Sequence, residues 1–152
     1  MTKKSLVLFA LSALLLCSCG PSRSSLYYWG GTDDTGTTVY EKVFYRNYKK
    51  QTPESICSLL CTYENMINKA GGQRQVPPPG ICAEYGYLLL SPDTAVAFSK
   101  AATPAQRKII LAENYEAEFR QKGMELLQRE MELYPESARF IMPLVKKWRE
   151  SK

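Results

Sequence analysis

The chain contains no histidine. That absence removes the base of every Ser-His or Cys-His nucleophilic site. It leaves a hydrolase only paired carboxylates, a Ser-Lys pair, or a metal held by carboxylates alone. A zinc centre built on the cysteines would lack its usual fourth ligand for the same reason. A strong excess of one charge is missing too. Twenty bases against 15 acids is too even for a nucleic-acid binder, which needs clustered bases on one face. Nor is there an apolar run long enough to cross a bilayer: Leu6 to Leu16, interrupted by Ser12, is about eleven residues where a helix needs roughly 20.

What that short run does supply, behind Lys3 and Lys4, is the core of a secretory signal peptide. It ends in Leu16-Cys17-Ser18-Cys19, which resembles the lipobox of bacterial lipoproteins. The resemblance implies a diacylglyceryl group on the Cys19 thiol, cleavage in front of Cys19 and acylation of the new amine. Cys17 suits the pattern less well, because bulky Leu16 would occupy the cleavage position. Stable anchoring takes about two acyl chains or more, so such a lipid would hold the protein without a membrane-spanning segment. No other cofactor is expected.

Cleavage removes Lys3 and Lys4 and no acid, so the 20 bases fall to 18 against 15 acids. The mature chain is long enough for one domain with its own core. Residues 20–25 read as a polar tether. Leu26, Tyr27, Tyr28 and Trp29 then form a burst of large side chains, suited either to docking the N-terminus onto the domain or to the bilayer interface. Gly30-Gly31 provides a turn into the fold, which favours docking. The expected organisation is a leader over 1–18, a lipidated tether and docking segment over 19–36, and a single helical domain over 37–152.

Asp34-Thr35-Gly36 copies the tripeptide around an aspartic-protease carboxylate. That chemistry needs two carboxylates sharing a proton, and no second copy appears, so Asp33 to Thr37 reads as a solvated turn before a helix cap. Thr38 to Glu41 is a capping box opening a first helix, with Val39, Tyr40, Val43, Phe44 and Tyr48 on one face. Thr52-Pro53 starts a second, striped by Ile56, Leu59, Leu60, Tyr63, Met66, Ile67 and Ala70 and ended by Gly71-Gly72. A connection this short predicts an antiparallel hairpin. After Pro77-Pro78-Pro79-Gly80, Ile81 to Leu90 predicts a third helix, with Gly86 as a close packing contact. A short piece from Thr94 to Ala101 follows. A longer helix is expected from Thr103-Pro104 through Leu111, Tyr115 and Phe119. Gly123 breaks that helix or lies within it, and Met124, Leu127, Met131 and Tyr134 continue the spacing. Pro135 stops the run. Phe140, Ile141, Leu144, Val145 and Trp148 form a last helix that Pro143 should kink.

Cys57 and Cys61 share a flank of the second helix, and either could pair with Cys82 if the third packs alongside; buried thiols are the other reading. Glu113, Glu116 and Glu118 are close in sequence but spread round a helix as a solvated face. The basic cluster Lys146, Lys147, Arg149 and Lys152 suits the negative end of a last helix better than acidic lipid.

Tyr28-Trp29-Gly30, Ala83-Glu84-Tyr85-Gly86-Tyr87-Leu88-Leu89-Leu90 and Tyr134-Pro135-Glu136-Ser137, together with the lipobox, resemble a family of small Gram-negative lipoproteins of unknown function. The resemblance implies a periplasm-facing protein, often encoded beside a lipoprotein resembling the curli secretion channel subunit. Gly20 in place of Asp after Cys19 implies the outer membrane under the sorting rule of enteric bacteria. The helix pair from Gly86 to Pro135 also resembles a tetratricopeptide unit, in which those positions are about 24 residues apart. Here the numbering separates them by 49, so about 25 residues between Ser91 and Lys122 interrupt the unit. The expected fold is therefore all-α: antiparallel helical hairpins, tetratricopeptide-like, with an inserted helical segment. The expected function is a non-enzymatic helical adaptor for another envelope protein, through Tyr85 and Tyr87 with Tyr27, Tyr28 and Trp29 nearby. A holdase-like chaperone is the alternative, and an envelope hydrolase the less favoured one. No nucleic acid or small-molecule substrate is expected.

Overall fold

A computed structural model describes residues 25–150; the expected signal peptide, Cys17 and the expected lipidation site Cys19 lie outside the described residues. Among the described residues there are seven α-helices: α1 Val39–Lys50, α2 Pro53–Asn68, α3 Ile81–Leu90, α4 Pro92–Ala101, α5 Pro104–Ile109, α6 Tyr115–Leu133 and α7 Ala138–Glu150, with a 3₁₀ turn Pro135–Ser137 before the last. The fold is all-α, as the spacing of apolar residues predicts, and no strand forms among the described residues.

Local chemistry explains most boundaries. Thr38 and Glu41 complete a reciprocal capping box, and so do Thr52 with Ser55 and Thr103 with Gln106; each satisfies orphan N–H groups at a helix start. Ahead of the first box, the Asp33 carboxylate accepts the Thr35 and Thr37 N–H groups, both at 2.9 Å, and pairs with Lys42. The expected turn is therefore in place, and these partners hold the Asp33 pKa well below its ordinary value.

The scaffold centres on α3 and α6, which run antiparallel: Gly80 lies opposite Glu130, and Gly86 opposite Gly123. A Cβ on Gly86 would lie 2.8 Å from the Gly123 carbonyl oxygen, and one on Gly123 would lie 2.9 Å from that of Gly86. The backbones touch where side chains are absent, so Gly86 is the close packing contact expected of it. Gly123 continues its helix rather than breaking it. Helices α4 and α5 are interposed between the two members of the pair, in the interval where the sequence showed extra residues.

One flank of this pair carries the main core: Leu60, Tyr63 and Met66 of α2, Ile81 and Tyr85 of α3, Phe98 of α4 and Phe119 of α6 are buried together. The other flank buries Leu90 and Leu127 against Ile141 and Val145 of α7. Helix α7 is continuous through Pro143.

Two element readings need correction. The helix expected from Thr103 through Phe119 is two helices: buried Ile110 ends α5, and Asn114 caps α6 by accepting the Ala117 N–H. Glu118 secures the break, since its Oε1 accepts the N–H groups of Glu113 and Asn114 at 2.7 and 3.0 Å. On α1, only Tyr40 and Val43 reach the core, whereas Val39, Phe44 and Tyr48 are exposed. The helix packs along one edge of α2, too narrow a contact to cover the whole aromatic stripe.

Candidate partner-binding groove

Helix α2 carries its one buried acid within its apolar stripe. Glu64 lies one turn from Leu60 and from Ile67, on the face that is buried. A carboxylate there must find donors. It accepts from the Tyr85 hydroxyl at 2.7 Å, the Asn68 amide at 3.0 Å and the Lys122 ammonium at 2.6 Å. Lys122 also sits 5.6 Å from the Tyr85 ring centre, a favourable cation-π position. Burial and the neighbouring Glu64 charge push the Tyr85 phenol far above its ordinary pKa, so it stays a donor. A parallel arrangement surrounds Glu84, which accepts the hydroxyls of Tyr40 and Tyr63 at 2.7 and 2.8 Å.

The Glu64–Lys122 pair forms part of the floor of an open groove of about 500 Å³. Helix α6 forms one wall with Glu118, Gln121 and Glu125, and the segment joining α5 to α6 forms the other. Ile110 pins that segment into the core, which turns its neighbours outward: Ile109 is 51% and Leu111 80% exposed. The result is an apolar lip over a groove lined by three carboxylates and one ammonium. Such a groove suits a polypeptide segment that offers an apolar side chain to Leu111 and a basic one to the acids.

A smaller groove of about 440 Å³ lies at the other end of α6, between Pro79, Ala83, Tyr134 and Phe140. Glu130 caps α3 across its wall, accepting the Gly80 N–H at 2.7 Å. Its second oxygen and the Ser137 hydroxyl are buried without a hydrogen-bond partner.

The residues expected from the sequence to bind a partner do not form one surface. Tyr85 is fully buried and belongs to the Glu64 network, which removes it from any binding face. Tyr87, two positions on and therefore on the opposite side of the helix, is 57% exposed. Trp29 packs on the core with its ring 5.4 Å from Tyr40, and Tyr28 lies against Gly71. Tyr27 lies beside Tyr134, whose hydroxyl donates to the Pro77 carbonyl at 2.6 Å. The 26–29 segment is thus docked onto the domain, held further by Gln73 and Arg74 N–H groups donating to Ser25 and Leu26 carbonyls at 3.1 Å.

Cys57, Cys61 and Cys82 are all free, so the pairing of Cys82 with Cys57 or Cys61 is not formed. The Cys57 thiol donates toward the Ala97 carbonyl at 3.8 Å, facing α4, while burial pushes Cys61 and Cys82 up to about 11. Among the described residues no cluster of three or more Cys, Asp or Glu is placed to hold a metal ion. No described helix is long and apolar enough to cross a membrane.

Glu64, Lys122 and Ile109 were not singled out from the sequence, and Leu111, placed there on the apolar face of a helix with Tyr115 and Phe119, is instead exposed. Glu64 had a legible signal, a carboxylate inside an apolar stripe. Leu111 did not, because the break at Ile110 that exposes it has no Gly or Pro to mark it. Comparison with protein-family models, curated proteins and solved structures yields no match.

Proposed function

We propose that this chain is an outer-membrane lipoprotein, anchored through acylated Cys19 and facing the periplasm, that works as a helical adaptor. Its groove between α6 and the 109–112 segment receives part of another envelope protein, itself a lipoprotein in the arrangement the family resemblance implies. The observation that carries this reading is the exposed Ile109–Leu111 lip above a satisfied, acid-rich groove. Apolar side chains surrounded by polar ones on a rigid scaffold are what an interface centre needs. The acids around the groove are engaged structurally, Glu64 with three donors and Glu118 as a helix cap, which favours binding over catalysis.

The test is a photo-crosslinking amino acid at position 111, in cells making the full chain with and without Cys19→Ala. A single stoichiometric adduct, weakened by the anchor variant and abolished by a control carrying Glu125→Lys, which reverses an exposed groove charge, is the expected result. Many unrelated unfolded chains at that position would replace the adaptor by the chaperone reading. No adduct at all would remove the groove as an interface.

A further inference from the structure

Helix α7 has two sides with different surroundings. Ile141, Val145 and Trp148 form the seam packed toward α3 and α6. The flank next to that seam carries Phe140, 64% exposed, then Leu144 one turn on, and then Lys147. Bases dominate the helix, with Arg139, Lys146, Lys147 and Arg149 against Glu150. Arg139 stacks over Phe140 at 4.5 Å. An exposed apolar flank bordered by bases on one helix is the pattern of a segment lying in a bilayer interface, so the exposure of Phe140 and Leu144 shifts the reading of these bases from the helix's negative end alone toward acidic lipid.

The chain's own entry point selects the same end of the molecule. Tyr27 lies beside Tyr134, and Tyr134 lines the smaller groove together with Arg139 and Phe140. Leu26, 47% exposed, is tied to Arg74 beside it. From Ser25 back to Cys19 is six residues, a reach of at most about 20 Å. A lipid on Cys19 would therefore hold this end against the bilayer. The Leu111 groove uses Glu118, Gln121, Lys122 and Glu125 of α6, whereas α7 packs on Leu127 and Met131, so the groove opens on a different side of α6 from α7.

We infer that Phe140, Leu144 and Lys147 of α7, with Arg139, Arg74 and Leu26, form a docking face for an anionic phospholipid bilayer. The inference rests on the anchored reading of Cys19 only for its geometry; the face itself has affinity for lipid without the anchor. Basic residues near such a surface each strengthen binding about fivefold, and the attraction fades within a Debye length as salt rises.

The experiment uses the full chain made with its leader, extracted in detergent and reconstituted into vesicles of phosphatidylethanolamine with one quarter phosphatidylglycerol. A nitroxide is placed at Leu144→Cys or, for comparison, Leu111→Cys, in a Cys61→Ser background, and its contact with oxygen and with an aqueous nickel chelate is measured. The expected result is a label at 144 in lipid and one at 111 in water. In a second arm, the Cys19→Ser chain is sedimented with the same vesicles. Replacing Arg139 and Lys147 by Gln should weaken its binding roughly 25-fold, and vesicles of phosphatidylcholine alone should bind it weakly.

Equal water exposure at 144 and 111, or binding indifferent to lipid charge, would overturn the inference. Mass spectrometry of the mature N-terminus reports separately on the anchor. An unmodified Cys19 would end that reading while leaving the second arm to decide the face. Positions 111, 139, 144 and 147 are exposed and Cys61 is half-buried, and circular dichroism confirms that the variants fold.

Discussion

Glu130 shows how one side chain serves two elements. Helix α3 begins at Gly80, which has no side chain to cap it, and a carboxylate from α6, fifty positions away, takes that place. Burial raises the Glu130 pKa, against the opposing pull of the Gly80, Ala83 and Cys82 N–H groups. With the folded value above the unfolded one of roughly 4.3, the native state holds the proton more tightly. The stability owed to this group is therefore complete below the unfolded value and falls as pH rises through the folded one. Glu130→Gln keeps an acceptor for Gly80 and cannot ionise. Its urea stability relative to the parent is expected to improve as pH rises above the unfolded value and to level off once Glu130 ionises in the folded protein. A difference that stays constant, or moves the other way, would show that Glu130 is ionised throughout. Nothing in the sequence around Glu130 announces this, because its partner is a backbone brought in by the helix crossing.

At the scale of the elements, glycine in mid-helix ordinarily costs about 1 kcal/mol relative to Ala, so Gly→Ala usually stabilises. The α3–α6 crossing inverts that sign. A Cβ at Gly86 or Gly123 would meet a carbonyl oxygen of the facing backbone within 3 Å, and backbone cannot rotate away. Gly86→Ala and Gly123→Ala are each expected to destabilise the protein by about 1–3 kcal/mol net, the usual range for overpacking, measurable by chemical denaturation. Neutral or stabilised variants would mean the helices sit farther apart. The close approach at Gly86 was legible from its place among Cys82, Tyr85 and Leu89. The identity of its partner was not, since α4 and α5 intervene. Capping boxes were legible for a simpler reason: Thr38, Thr52 and Thr103 act on backbone three residues away. The break after α5 was missed because Glu118 and Asn114 compete with a periodicity that runs straight through them.

For the whole molecule, the N-terminal segment is part of the fold rather than a free leash. Trp29 stacks on Tyr40, whose hydroxyl joins Tyr63 at Glu84. Trp29→Ala is expected to cost about 2 kcal/mol, less than a fully buried Trp, and to expose residues 25–38 to protease and hydrogen exchange while α3 and α6 stay protected. Uniform protection would show that docking does not depend on the indole. This attachment fixes where the chain enters the domain relative to the α7 flank and the Leu111 groove. By itself the sequence determined what depends on neighbours along the chain: the helical class, most helix starts, the turn at Asp33, and the signal and lipobox pattern. Only the tertiary structure decided which aromatic side chains are core and which are surface, that the cysteines remain unpaired, and that Glu64, Lys122 and Leu111 share a groove. Those outcomes depend on which helix covers which face, and that is settled by contacts between residues tens of positions apart.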